Sequence, residues 1–427
     1  MTQLVREADR EEDVAMETPV ASRPAKVRGK KRHMPWLGIA RVLFLAALAM
    51  LPITFLPWLG ALLPLVQQSF MLLCVSGAVA AWVVGTLATG EMTVPRVPLF
   101  HRIVFGITAI AGAAALFGAP AIRLAFWGRD GSEVDTALVF GLGLLVLILP
   151  VLLCSASNDR RRAITVLQWS ALLSLLLVAA NHVALLVFHQ RFLGATTTAF
   201  NPVGSITSYA TFLGFVLILT FRAFLAPARS VTLRVFHAIR ALLFFIGLAV
   251  IGHGAALMSA VIGIAVLLAF WLVANARVIP TKLIALNTLL AAMFVIILLA
   301  FSGVRVTLPF GYPTEVFPTQ SASRAIAVSV MRTSPRTALI GTGPNTFALS
   351  YNRAKPLAVN LTPLWNVAFQ QGGSYWWTML PTFGIPATAA LLLLFLGIMI
   401  AGMRTALRTA PAGDGVTATW AAATIYL

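Results

Sequence analysis

Six cations crowd one stretch of the chain. Arg305, Arg324, Arg332, Arg336, Arg353 and Lys355 fall between residues 302 and 383, against a single acid, Glu315. Guanidinium forks match phosphate oxygens two at a time, so this segment has the makings of an anion grip. Arg324 and Arg332 are eight positions apart, about 80° around a helix, and could bracket a diphosphate. A solvated basic surface would use the same residues, and both readings stay open on the spacing alone.

Other constellations carry less. Gly341-Thr342-Gly343-Pro344-Asn345 has the glycines of a phosphate loop but not the lysine of the nucleotide-binding form; it reads as a tight turn. Trp365, Phe369, Tyr375, Trp376 and Trp377 could stack on sugar rings, and the same residues build interfacial belts in membrane proteins. Asp130, Glu133 and Asp135 put three carboxylates in six residues. Oxygen clusters can hold a hard cation, but the spacing fits no calcium loop, so a solvated turn is expected. Cys74 and Cys154 have neither disulfide nor metal spacing. No metal site and no cofactor is expected.

The elements that must position these residues are hydrophobic. Of 427 residues, 59% are hydrophobic and 10% charged, against roughly 45–50% and 25% in soluble domains. Apolar blocks fall near 37–57, 65–89, 100–119, 136–155, 164–188, 203–224, 237–254, 256–274, 282–301 and 384–403, most of them about as long as a hydrocarbon core requires. A β-barrel would alternate over about ten residues instead. The expected fold is all-α, a polytopic transmembrane bundle of about 10–12 spans with one long, partly helical loop. The net charge of +18 then reflects membrane topology, not nucleic-acid binding.

Residues 1–35 are polar, acidic and then basic, and read as a disordered cytoplasmic tail ahead of a signal anchor. The transmembrane domain takes the rest, 36–427. Its final apolar piece, Val416–Leu427, is too short to span, which suggests a truncated chain end. With the N-terminus inside, the inner loops hold Arg96, Arg102, Arg160–Arg162, Arg222, Arg229, Arg234, Arg240, Arg277, Lys282, Arg404 and Arg408. Short outer loops hold only Arg123, Arg129 and Arg191. That imbalance predicts a cytoplasmic N-terminus and leaves about 302–383 outside. Within that loop a helix is predicted over Thr319–Thr333, capped by Thr319 or Ser321, with Ile326, Val330 and Met331 as its apolar stripe and Pro335 beyond its end. No Asp or Glu lies inside a block; His182, His189 and His253 are its ionisable groups, read as interhelical contacts rather than proton relays.

From about 191 to 405 the chain resembles the O-antigen ligase and polymerase superfamily of bacterial membrane proteins. The likeness rests on Ser323-Arg324 with its following helix, Ser334-Pro335, the run Leu339 to Phe347 (LIGTGPNTF), and Tyr351. Phe200-Asn201-Pro202-Val203-Gly204-Ser205 is similar to the family's Asn-Pro element, Arg191 is placed like a second family arginine, and Phe383-Gly384-Ile385-Pro386 leads into the last complete span. The resemblance implies transfer of a glycan from an undecaprenyl-diphosphate carrier to an acceptor glycolipid, glycan or protein, in the bacterial inner membrane. It implies that Arg324 and Arg191 act on the diphosphate. Arg332, Arg336, Asn201, Glu315, Tyr375 and Trp376 become candidates for binding substrate. One departure stands out: where many members carry a His-Asn pair, this chain has Gly373-Ser374-Tyr375-Trp376, and a serine cannot accept a proton as imidazole can. Glu315, Tyr375 or an acceptor-side group would have to substitute. Otherwise the chain is a non-catalytic protein that binds or exports lipid-linked glycan.

Overall fold

A computed structural model describes residues 35–53, 63–90, 97–129, 133, 135–154, 157–190, 200–225, 230–275 and 315–408. Among these residues there are fourteen helices and no strand. In chain order they are α1 (Pro35–Met50), α2 (Leu63–Thr89), α3 (Leu99–Gly118), α4 (Ile122–Trp127), α5 (Ala137–Leu153), α6 (Ser157–Leu186) and α7 (Ile206–Leu225). There follow α8 (Val231–Ile251), α9 (Gly254–Asn275), α10 (Gln320–Thr333), α11 (Pro335–Ile340), α12 (Phe347–Ala354), α13 (Leu357–Asn360) and α14 (Tyr375–Arg408). Six of them, α2, α3, α6, α7, α8 and α14, are long and apolar enough to cross a membrane. The protein is a multi-pass helical membrane bundle. The predicted span at 282–301, the N-terminal tail up to residue 34 and the segment 416–427 lie outside the described residues.

Three apolar clusters hold the bundle. α7 packs with α6, α8 and α9 around Leu213, Leu217 and Phe244, and 67% of its apolar window is buried. α1, α2 and α5 meet at Phe44, Val75 and Leu149. α3 and α14 meet at Val104, Ala115, Phe383 and Leu394. Elsewhere the helices turn large apolar side chains outward, such as Leu87, Ile110 and Phe117, as a lipid-facing surface requires.

Helix ends sort onto two faces. On one, Gln68 Nε2 donates to Glu133 O at 3.2 Å, Gln67 Nε2 to Pro202 O, and Arg336 Nη2 to Gly118 O at 3.4 Å. Residues 315–374 sit on this face, called here the loop face. On the opposite face Arg41 pairs with Asp159 at 3.4 Å and donates to Leu153 O at 3.0 Å, while Trp271 Nε1 donates to Leu225 O. One residue of the predicted inner loops belongs elsewhere. Arg240 lies about two and a half turns inside α8, 2% exposed, donating to Gln168 Oε1 at 2.5 Å with His237 Nδ1 at 2.9 Å and stacking over Phe236. His237 and Arg240 therefore join the ionisable groups of the spans. A charge can enter the bundle where polar side chains replace its water.

α14 is not one rod. At Gly384 the backbone takes φ 79°, ψ 174°, a region open essentially to glycine alone. A straight helix would set Trp376 and Phe395, nineteen residues apart, about 28 Å from each other, yet their rings are 6.4 Å apart. The arm Tyr375–Phe383 therefore folds back along the arm that follows. This turn frees two carbonyls. Helical N–H groups from residues 385 and 386 would serve Pro381 O and Thr382 O; the break displaces the first, and Pro386 has no N–H at all. Thr342 N–H donates to Pro381 O at 2.8 Å and Gly343 N–H to Thr382 O at 3.0 Å, supplying both.

Glycine is required on both sides of this contact. A Cβ at Gly341 would meet Thr382 O at 2.2 Å, and one at Gly384 would meet Leu339 O at 2.5 Å. Gly341→Ala and Gly384→Ala are each expected to destabilise the protein by roughly 1–3 kcal/mol or more, lowering its thermal midpoint in detergent. Because both disrupt one contact, the double variant should lose less than the sum; an additive result would show the two glycines acting separately.

Candidate functional site

The segment between α9 and α14 carries its own small core. Ile326, Val330, Phe347, Tyr351 and Phe369 are buried together, with Met331 packed alongside, so the predicted stripe is the inner face of α10. Thr319 Oγ1 accepts from Ala322 N–H at 3.2 Å and caps the helix. Pro335 lies beyond the end of α10, as predicted, and opens α11, with Ser334 as cap between them. The opposite side of α10 leaves Arg324 and Arg332 exposed. Arg336 is exposed as well, one guanidinium nitrogen resting on the last carbonyl of α3.

The first turn of α10 docks on Gly373, just ahead of α14. Ser323 Oγ accepts from Gly373 N–H at 2.8 Å, and Gln320 Nε2 donates to Gly373 O at 2.5 Å. Gly372 N–H donates to Thr378 Oγ1 at 2.9 Å. Arg324 therefore follows directly on a residue bonded to Gly373, and Tyr375 comes two residues after that same glycine. Tyr375 is exposed; Trp376 is half-buried against Phe395 and works as a packing residue of α14.

Other predicted residues have structural partners. Asn201 is buried, and its Oδ1 accepts from Gly204 N–H at 2.8 Å and Val203 N–H at 3.2 Å, forming the turn ahead of α7. Glu315 accepts from Ile206 N–H at 2.7 Å and Ser205 Oγ at 3.0 Å, so its carboxylate sits on the N-terminus of α7, where a helix favours negative charge. His253 Nδ1 accepts from Ala256 N–H at 3.2 Å and caps α9 instead of bridging helices; burial holds its pKa below the ordinary value despite the nearby Glu315 charge. The Gly341–Asn345 run is the tight turn expected, with Asn345 at φ 59°. Arg191 lies outside the described residues.

The residue that sequence reasoning missed is Asp135. In place of a solvated carboxylate, Asp135 is only 6% exposed; Asp130 lies outside the described residues. Glu133 keeps the expected role, accepting from Arg129 N–H at 2.7 Å. Asp135 O accepts from Asn345 N–H at 2.9 Å, tying the α5 entrance to the glycine turn, while its Oδ1 has no hydrogen-bond partner among the described residues. It directly precedes Thr136, the cap of α5. The helix start favours its anion, but burial wins and raises its pKa from 3.8 to about 7. Its charge is felt at Tyr375. The one sequence signal was position: Asp135 abuts an apolar block, and a residue at a helix entrance is easily drawn under its neighbours. No group of three or more His, Cys, Asp or Glu side chains gathers at metal distance among the described residues.

No protein-family model matches this chain, and no curated protein matches it either.

Asp135 makes stability depend on pH. Between pH 4 and pH 7 the folded protein holds a proton that the unfolded chain releases, so stability falls as pH rises through that window. The loss reaches at most about 4 kcal/mol above pH 7, at roughly 1.4 kcal/mol per pH unit. Asp135→Asn should flatten this decline and exceed the unsubstituted protein in thermal midpoint at pH 8. A variant that keeps the same slope would assign it to another group.

Proposed function

We propose that the protein is an O-antigen ligase- or polymerase-like glycosyltransferase of the bacterial cytoplasmic membrane. It would move a glycan from undecaprenyl diphosphate to an acceptor at the outer face, with its N-terminus in the cytoplasm. One observation carries this reading: the first turn of α10, bearing exposed Arg324, is bonded to Gly373 beside Tyr375. An exposed cation thus follows directly on Ser323, the residue bonded to the stretch that the resemblance assigns to chemistry. The excess of arginines toward the opposite face supports the orientation.

In this reading Arg324 and Arg191 neutralise the diphosphate as the sugar–oxygen bond breaks, where negative charge develops. Arg332 and Arg336 hold the carrier at the membrane surface. The acceptor hydroxyl attacks the anomeric carbon, undecaprenyl diphosphate leaves, and the acceptor proton must be taken up. Gly373 and Ser374 offer no base. Asp135, with a pKa of about 7, is matched to that task near neutral pH, and Tyr375, exposed two residues after Gly373, binds the acceptor.

The test is transfer from a synthetic undecaprenyl-diphosphate-linked glycan by the purified full chain. Arg324→Ala should cut turnover by about 10²–10³ at unchanged protein yield, and Asp135→Asn should abolish the rise of activity through pH 7. Unchanged turnover in Arg324→Ala removes the claim. Binding of the glycan lipid with no turnover in the unsubstituted protein would instead support the non-catalytic carrier-binding alternative.

A further inference from the structure

We infer that a cleft between α1 and the first turns of α6 holds one anionic phospholipid by its phosphate. The cleft, about 430 Å³, is lined by Leu45 of α1 and by Asn158, Arg161, Arg162, Thr165 and Val166 of α6. It opens on the face opposite residues 315–374. The five α6 residues follow the i, i+3, i+4, i+7, i+8 spacing of one helix face, so the lining is a continuous stripe.

Its polarity is graded along the membrane normal. Asn158 and the two arginines come first, near the helix start; Val166 lies about 6 Å deeper at 1.5 Å per residue. Leu45 is likewise about 6 Å deeper along α1 than Arg41, which meets Asp159 at the helix start. A headgroup phosphate at the arginines would therefore lead its acyl chain past Leu45 and Val166 into hydrocarbon. A free phosphate would satisfy the cations but leave the apolar end of the cleft in water.

Among the described residues, no acid lines the cleft, and Asp159, the neighbouring carboxylate, pairs with Arg41 at 3.4 Å. That pair also joins α1 to α6 and so fixes the width of the cleft. The volume suits a phosphodiester headgroup and the first part of one chain, within the size of ordinary ligand pockets. The site lies at the far face from Arg324 and does not depend on glycan transfer.

Native mass spectrometry of the full chain in nonionic detergent tests the assignment, with phosphatidylglycerol, phosphatidylcholine and inorganic phosphate as probes. One phosphatidylglycerol should be retained in preference to phosphatidylcholine, and inorganic phosphate should not displace it. The Arg161→Ala/Arg162→Ala double variant should weaken retention about thirtyfold, roughly 1 kcal/mol for each arginine, whereas Arg161→Lys/Arg162→Lys should keep most of it. Leu45→Trp, which fills the cleft and leaves both arginines, should also expel the lipid. Equal retention of phosphatidylcholine, displacement by phosphate, or full retention in Leu45→Trp would each overturn the proposal.

Discussion

Two backbone carbonyls, Pro381 O and Thr382 O, set the terms for the loop face. A helix break near hydrocarbon is tolerated only where the freed backbone groups find partners in protein, and here the partners come from Thr342 and Gly343. Neither side of the contact stands without the other. The turn needs glycine because the folded-back arm leaves no room for a side chain at Gly341, and the arm needs glycine because its φ is positive and Leu339 O lies against it. The contact also decides where α10 can go. With α11 anchored at one end of the arm and Gly373 bonded to Ser323 at the other, α10 is held across the short arm of α14, and Arg324 with it.

This changes how the sequence motifs divide between scaffold and chemistry. The glycine-rich run and the Phe-Gly-Ile-Pro element lie far apart in the chain, yet they are the two halves of one hydrogen-bonded joint. Asn201-Pro202 is a turn closed on itself, and Glu315 ties the early part of the long loop to the start of α7. Motif glycines and asparagines thus place the elements, while Arg324 and Tyr375 are left exposed and Asp135 is buried. Arginines on the outward side of α10 and α11 contribute nothing to the small core beneath them, which Ile326, Val330, Phe347 and Tyr351 fill without their help.

Much of the fold was legible because hydropathy and length constrain a membrane helix more tightly than any motif does. The predicted blocks at 65–89, 100–119 and 256–274 fall within two residues of α2, α3 and α9, and the block starting at 384 begins at the residue where α14 turns. Thr319 was readable as a cap because its hydroxyl has a local partner three residues on. What hydropathy could not show was direction and depth. Arg240 reads as a loop residue in a count of charges, since nothing in its neighbourhood announces Gln168 waiting 72 positions away on α6. The fold-back of α14 is equally silent: Gly384 and Pro386 mark a break, but the angle is set by a turn forty residues upstream.

Two carboxylates at helix entrances show why the site was harder to read than the fold. Glu315 and Asp135 both sit at the N-terminus of a helix, where the backbone favours an anion. Glu315 is exposed and receives two donors, so its charge is solvated by protein and water together. Asp135 is sealed under the glycine turn, and its Oδ1 receives none among the described residues. At Asp135 desolvation outweighs the helix field and raises the pKa to about 7. Asn345 N–H bonds the Asp135 backbone carbonyl and so ties it to the turn. The pairing of Gly343 with Thr382 O, two residues before it, is what puts Asn345 there. The burial of Asp135 is thus tied to the same joint that folds α14 back on itself.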